Sequence, residues 1–407
     1  MRFFRQRREF LIQSAALPIS GSLLASALAA ESKEKRAKPN GKVKLAAPSR
    51  TSWASFRNGN QQLGVATSQL PEKLELLWKV PAKDGVVNTP AIVGDRVYVG
   101  VLGGDLICLS LKSGEQIWSY RSIESKNPKE FAPGFQASPT VTAASVYIGD
   151  EDGWYHAVDR ATGKQRWKFE TKGEIVSSTS IVGDRLIFGS YDSSLYCLNA
   201  KDGSKVWQVE TQDRVNGSPA VSGDFTFVTG CDEHLRVINI ESGQEEYAMN
   251  LETYLIASPA VIGDMLYVGT YAAEVIAVNW KAQQVVWRYK DPQREFPYHA
   301  SAAVTDQFVV VGGRDKQLHC IDRKTGDGIW VFPTRGRIDS SPVIVGDRVF
   351  FGSSDKNLYA VNLKTGKQMW KFHAGNHITG SPAVGENHLV IGSETDDGFI
   401  YCFGAKS

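Results

Sequence analysis

The chain has 407 residues, 42% of them hydrophobic and 10% aromatic, with 38 glycines and with 46 Lys and Arg against 44 Asp and Glu. That apolar content excludes a disordered chain, and the near balance of charge leaves no basic field for a nucleic acid. Length alone suits two or three domains, so a single large domain has to be argued from an internal repeat.

At the N-terminus, Arg7-Arg8-Glu-Phe10-Leu11 precedes a weakly apolar stretch that ends in Ala27-Leu28-Ala29. Residues 1–29 read as a twin-arginine-type export signal with a small-residue cleavage site. Gln13, Pro18, Ser20 and Gly21 interrupt it too often for a span of roughly 20 apolar residues, so export to a periplasm-like space is expected rather than a transmembrane anchor. Loss of this segment removes four Arg and one Glu, taking the formal charge from +2 to −1. Residues 30–73 are expected to form a basic flexible tether, with Lys35, Arg36, Lys38, Lys42 and Lys44 around Pro39 and Gly41, and then an N-terminal packing segment. Within that segment Trp53-Ala-Ser-Phe56-Arg57-Asn-Gly59 has no copy elsewhere and is expected to pack across the domain, anchored by Trp53 and Phe56.

From residue 74 to 407 one unit recurs. Its clearest copy is Ala360-Val-Asn-Leu-Lys-Thr-Gly-Lys-Gln-Met-Trp370, matched by Ala157-Val-Asp-Arg-Ala-Thr-Gly-Lys-Gln-Arg-Trp167 and by copies ending at Trp207 and Trp330. Each joins an alternating strand to a second strand opening on a large aromatic, through a turn whose Gly supplies positive φ: a β-hairpin. Another strand pair lies upstream, as in the stretch from Ser341 to Gly352, where Gly346-Asp347 makes the turn. Four short strands in about forty residues predict an all-β, eight-bladed propeller of four-stranded antiparallel blades, since one blade cannot bury both faces alone.

The aromatics Trp78, Trp118, Trp167, Trp207, Tyr247, Trp287, Trp330 and Trp370 are spaced 40, 49, 40, 40, 40, 43 and 40, which gives eight outer strands. Inner strands starting at Thr89, Ser138, Ser178, Ser218, Ser258, Ser301, Ser341 and Ser381 also number eight. Trp78 comes before the first of these, and the last unit stops after its third strand. Residues 74–80 are therefore expected to supply the outermost strand of the last blade and close the ring.

The pattern Ala/Cys-x-Asp/Asn-x-x-x-Gly-x-x-x-Trp, over about residues 74–403, resembles the docking motif of pyrroloquinoline-quinone (PQQ)-like repeats, a family that includes quinoprotein dehydrogenases and BamB-like exported propellers. The resemblance implies that each of the eight aromatics packs against the neighbouring blade. It also raises dehydrogenase chemistry, in which PQQ with calcium rests on a cradle that includes a disulfide between adjacent cysteines. Here Cys108, Cys197, Cys231, Cys320 and Cys402 are all separate. Four hold a repeat position filled elsewhere by Ala157, Ala277 and Ala360, and all five read as structural free thiols.

No nucleophile elbow, dinucleotide loop or phosphate loop is present, so no catalytic residue is assigned. His373 and His377 on a strand and its loop do not converge on a metal, the acidic turn at Asp150-Glu-Asp152-Gly153 lacks the remaining calcium ligands, and no metal is expected. The sequence is read as an exported non-catalytic scaffold, expected to be a monomer without nucleic-acid partners or cofactor, binding a protein or peptide segment of the cell envelope. A PQQ-dependent oxidoreductase is the first alternative and a polysaccharide-binding propeller the second.

Loop length locates the binding face. From aromatic to inner-strand Ser or Thr the distance is 11 in six cases, 20 from Trp118 to Ser138 and 14 from Trp287 to Ser301. Both excesses fall in outer-to-inner connections, which emerge on one face and, from the first and fifth blades, on opposite sides of the axis. Phe131, Phe135, Arg294, Phe296 and Tyr298 are expected as the walls of that mouth. Gln136, Asn216, His299 and Asp339 are expected as its polar groups, standing where other blades have Val or Ile.

Overall fold

The structure, a computed structural model, describes residues 47–125, 127 and 129–406. The expected export signal and most of the basic tether lie outside these residues. Eight four-stranded antiparallel sheets form the ring. Blades I to VII occupy residues 91–121, 140–170, 180–210, 220–250, 260–290, 303–333 and 343–373. Blade VIII combines Ala383–Gly385, His388–Gly392 and Asp397–Gly404 with Glu75–Lys83, which pairs along the last strand from Glu75 opposite Gly404 to Lys83 opposite Asp397. The two ends of the propeller thus share one sheet, as the strand count predicts, and no blade is left with three strands. Among the described residues no helix is long and apolar enough to cross a membrane.

The repeat motif has a steric basis. In every blade the pairing of the third strand with the outermost one shifts register at the same place, and this bulge sets the aromatic opposite a small residue. Trp118 faces Cys108, Trp207 faces Cys197, Trp330 faces Cys320 and Trp78 faces Cys402, whereas Trp167, Trp287 and Trp370 face Ala157, Ala277 and Ala360. Tyr247, the smaller ring, faces the larger Val237. Four of the five cysteines therefore serve as small packing residues under an indole, buried and free.

Each aromatic then reaches the next blade. The indole N–H of Trp78, Trp118, Trp207, Trp287 and Trp330 donates to Leu111 O, Arg160 O, Ile240 O, Arg323 O and Leu363 O at 2.8 to 3.1 Å. Tyr247 donates its hydroxyl to Trp280 O. Trp167 makes no such bond among the described residues, and neither does Trp370, because blade VIII has no hairpin between its last two strands. Trp370 packs edge to face on Phe403, 5.4 Å between centroids.

Around the axis a chain of hydroxyls stitches the inner strands together. The Thr89 N–H donates to Ser138 Oγ at 3.0 Å, the Ser138 N–H to Ser178 Oγ, and so on through Ser218, Ser258, Ser301 and Ser341 to Ser381 Oγ. This accounts for Ser at nearly every inner-strand start, since only a short hydroxyl side chain both fits there and accepts the neighbour's N–H. The circle stops at Thr89, whose Oγ1 is buried without a partner among the described residues.

Candidate functional site

One end of the axis is sealed by the segment that precedes the propeller. Residues 51–66 hydrogen-bond to all eight blades, at the ends where the inner strands finish. Trp53 exchanges two backbone bonds of 2.8 Å with Ile92, and the Val141, Val221, Val261, Val304 and Ile344 amides donate to Ala54, Asn60, Gln61, Leu63 and Gly64 carbonyls. The Asn60 side chain takes both backbone groups of Ile181, and the Glu386 N–H donates to Thr51 O. Trp53 is buried as expected, but Phe56 is only half-buried. The second anchor is Arg57, whose Nη1 and Nη2 donate to Pro342 O at 2.7 Å and Ala302 O at 2.8 Å. Burial without a carboxylate partner pushes this guanidinium down to about 9.

No comparable segment crosses the other end among the described residues, and its lining follows from strand alternation. The third residue before each inner-strand Ser or Thr points into the blades: Phe135 and Tyr298 are buried there, like Val215 and Ile338 at the same repeat position. These two rings are therefore not mouth walls, which corrects the sequence expectation; side chains alternate faces, and it is the next residue that faces the axis. Gln136, Asn216, His299 and Asp339 occupy that position and are part-exposed, joined by Thr379, a fifth polar member that the sequence reading left out. Phe131 at 69% exposure and Phe296 at 51% stand on the two long connections, with Arg294 exposed beside Phe296 and donating to Asp315 O at 2.6 Å.

A second tier of mouth residues comes from the turns between second and third strands. Each stands 13 residues after the inner-strand Ser or Thr, a fixed spacing that could have revealed them: Glu151, Tyr191, Cys231, Tyr271, Arg314 and Glu394 among them. Their amides are held by the incoming connection, as Tyr271 N–H to Tyr254 O at 3.0 Å and Arg314 N–H to Pro297 O at 3.2 Å. The two tiers bond to each other. Gln136 Nε2 donates to Glu151 at 2.8 Å, Asn216 Nδ2 to Cys231 Sγ at 2.7 Å, and Thr379 Oγ1 to Glu394 at 2.8 Å. Cys231 is thus no core thiol like the other four but sits part-exposed at the rim. Asp339 lies between Arg314, at 2.8 Å, and Arg337, at 2.7 Å. His299 is pushed down to about 4 by burial and then by the neighbouring Arg314 charge, so its imidazole is neutral at pH 7.

Beneath each long connection lies a buried relay of the same chemistry. In blade II, His156 holds Asp150 at 2.9 Å through Nε2 and Tyr120 Oη at 2.9 Å through Nδ1, with Phe135 edge-on at 5.6 Å. In blade VI, four blades away, His319 holds Asp315 at 3.0 Å and Tyr289 Oη at 3.1 Å, with Tyr298 edge-on at 5.3 Å. Burial alone would raise the Asp315 carboxyl, but hydrogen bonds from His319 and Gln317 hold it below its usual range. These relays tie the loop bases to the blades and explain why the longest connections leave a rigid frame.

Asp291, Asp315 and His319 are also the one group of three metal-ligating side chains found among the described residues. Asp291 Oδ1 accepts the Gln293 and Arg294 amides of its own loop, its Oδ2 lies 3.9 Å from His319 Nδ1, and Asp315 and His319 belong to the relay just described. His373 and His377 bond to different groups, Asn357 Oδ1 and Ser354 O. Of the mouth carboxylates, Asp339 is claimed by two arginines, while Glu151 and Glu394 accept hydrogen bonds from Gln136 and Thr379.

Comparison with known proteins agrees with this architecture. The family profile for outer membrane protein assembly factor BamB matches residues 71–180, 122–246, 151–296 and 285–397. BamB of Xanthomonas campestris pv. campestris is 27% identical over 112 residues, 26% of this chain and 28% of that protein. Quinohemoprotein alcohol dehydrogenase ADH IIB of Pseudomonas putida is 34% identical over 107 residues, 25% of this chain but 15% of that protein. Each match thus spans less than a third of the relative's length. The crystal structure of BamB from Moraxella catarrhalis superposes with a TM-score of 0.68 at 19% identity, covering 82% of this chain and 98% of that one. With its profile matched across the whole ring, the chain belongs to the PQQ-like repeat family of the outer membrane protein assembly factor BamB.

Proposed function

We propose that this protein is an exported, non-catalytic scaffold that binds an extended segment of a cell-envelope protein at its open mouth. The observation that carries the proposal is the asymmetry of the ring. Residues 51–66 cover one end of the axis on all eight blades, while the other presents Phe131, Phe296 and a set of paired polar groups on a rigid frame. Membership in the BamB family favours a protein partner over a small substrate, and the twin-arginine-type start of the sequence favours export. The partial likeness to a quinohemoprotein dehydrogenase keeps one rival, a quinone-dependent oxidoreductase.

Photo-crosslinking separates these readings. A crosslinking residue at Phe131 or Phe296 should capture an envelope protein in the native host, and one at Thr365 on the sealed face should not. Equal capture from Thr365 overturns the choice of face. A quinone found by mass spectrometry and absorbance in natively purified protein overturns the non-catalytic reading.

A further inference from the structure

The exposed apolar surface is unevenly distributed. Of the ten exposed large hydrophobic side chains among the described residues, seven lie on blades V to VII or the connections into blades V and VI. At the mouth this sector holds Tyr254 and Tyr271, 48% and 53% exposed, in edge-to-face contact at 6.3 Å. Tyr271 continues onto His299, 6.2 Å between ring centroids, and the Nε2 of His299 is without a partner among the described residues. Beyond His299 stand Arg314 and Arg337, which share the single carboxylate of Asp339. Two guanidinium groups against one carboxylate leave the cluster with an excess positive charge. Arg337 has its Nε 2.7 Å from Asp339 Oδ2 and its side chain 52% exposed.

We propose that this shelf is the specificity element of the mouth, and that it takes a peptide segment carrying an Asp or Glu side chain next to an aromatic residue. The inference rests on the reading of the open mouth as a partner-binding face. Half-exposed, mutually packed tyrosines offer rigid apolar area at small entropic cost, which suits an incoming ring. The uncompensated guanidinium a few residues further along the wall suits a carboxylate, because Arg binds it through paired N–H groups. A lone anion would find the charge but not the tyrosines, and an apolar segment would leave the guanidinium unanswered.

The test uses the full chain and two end-blocked, fluorescently labelled peptides, Gly-Ser-Phe-Glu-Phe-Ser-Gly and its Gln counterpart, followed by anisotropy. The Glu peptide should bind at least about tenfold tighter, the step that one charge-assisted hydrogen bond supports. Arg337→Ala should reduce that preference to less than about threefold, Arg337→Lys should keep part of it, and Tyr271→Ser should weaken both peptides together. All three variants should melt with the parent. Equal affinity for the two peptides, or a Glu preference untouched by Arg337→Ala, overturns the proposal. So does binding of an acidic oligosaccharide such as polygalacturonate with no peptide binding. If neither peptide binds while Phe131 still crosslinks a native partner, the acidic-aromatic assignment fails and the choice of face stands.

Discussion

The hydroxyl of Tyr147 donates to Ala200 O at 2.8 Å, the carbonyl that the indole of Trp167 reaches for by analogy with the other docking aromatics. Trp167 Nε1 is left buried without a partner among the described residues. The cause lies in the docking turn. Tyr98 and Tyr267 stand at the same repeat position as Tyr147, but their turns carry Arg160 and Arg323, whose guanidinium groups engage the phenols at 2.9 and 3.3 Å. Ala200 offers no such group, so Tyr147 takes the backbone carbonyl instead.

Tyr147→Phe should therefore be close to neutral, within about 0.5 kcal/mol, because the orphaned indole N–H recovers the acceptor that the phenol gives up. Tyr98→Phe should cost about 1 to 3 kcal/mol, since buried Arg160 loses a partner. Urea denaturation of the two variants decides; equal costs would show that Ala200 O is not contested.

A second contrast concerns glycine. Gly243 and Gly263 both have positive φ, 73° and 61°. A β-carbon at Gly243 would stand 2.6 Å from Trp207 Cγ, whereas nothing lies within 4 Å of one at Gly263. Gly263→Ala should cost about 1 to 2 kcal/mol of left-handed strain alone. Gly243→Ala should add the displacement of the indole and approach the about 3 to 5 kcal/mol of Trp207→Ala. Thermal unfolding of the three variants checks this order, and similar costs for the two glycine changes would mean that the indole is not seated on its turn.

The ring was legible because its signals are periodic: an aromatic about every forty residues, a Gly in six of the seven outer turns with Gln283 in the other, and a Ser or Thr at each inner-strand start. The site was less so. Phe135 and Tyr298 look like mouth aromatics by their place in long connections, yet alternation turns them inward by one residue. Tyr271 and Arg314 sit in turns of constant length, so a search for irregular loops passes over them. His156 and His319 share one repeat position, but Asp150 and Asp315 approach from turn positions two residues apart, so superposed repeats do not display the matching relays.

Acid should weaken the fold through His299. Its ordinary value of 6.5 is lowered to about 4 in the folded chain, chiefly by burial. Between these values the unfolded chain binds a proton that the folded chain does not. The stabilisation is thus complete above pH 6.5 and is lost as pH falls toward 4. Partial exposure of the ring discounts the full effect to about 1 to 2 kcal/mol. Denaturation from pH 7 to 4 should show the parent losing that much more stability than His299→Gln, and parallel curves would place the imidazole in solvent.

The two long connections separate binding from stability. Phe131 and Phe296 are exposed, so Phe131→Ser and Phe296→Ser together should leave the melting temperature within about 1 °C of the parent while abolishing partner capture. Tyr298 and Phe135, only a few residues away, are buried edge-on against His319 and His156. Tyr298→Ser should cost about 3 to 5 kcal/mol, as a large buried ring is lost and His319 gains a cavity beside it. A chain of this size shifts by a few degrees per kcal/mol at most, so the contrast with the Phe131 and Phe296 pair is measurable by scanning calorimetry. If Tyr298→Ser melts with the parent and only partner capture falls, the ring faces the opening after all, and alternation from the inner-strand Ser does not hold in blade VI.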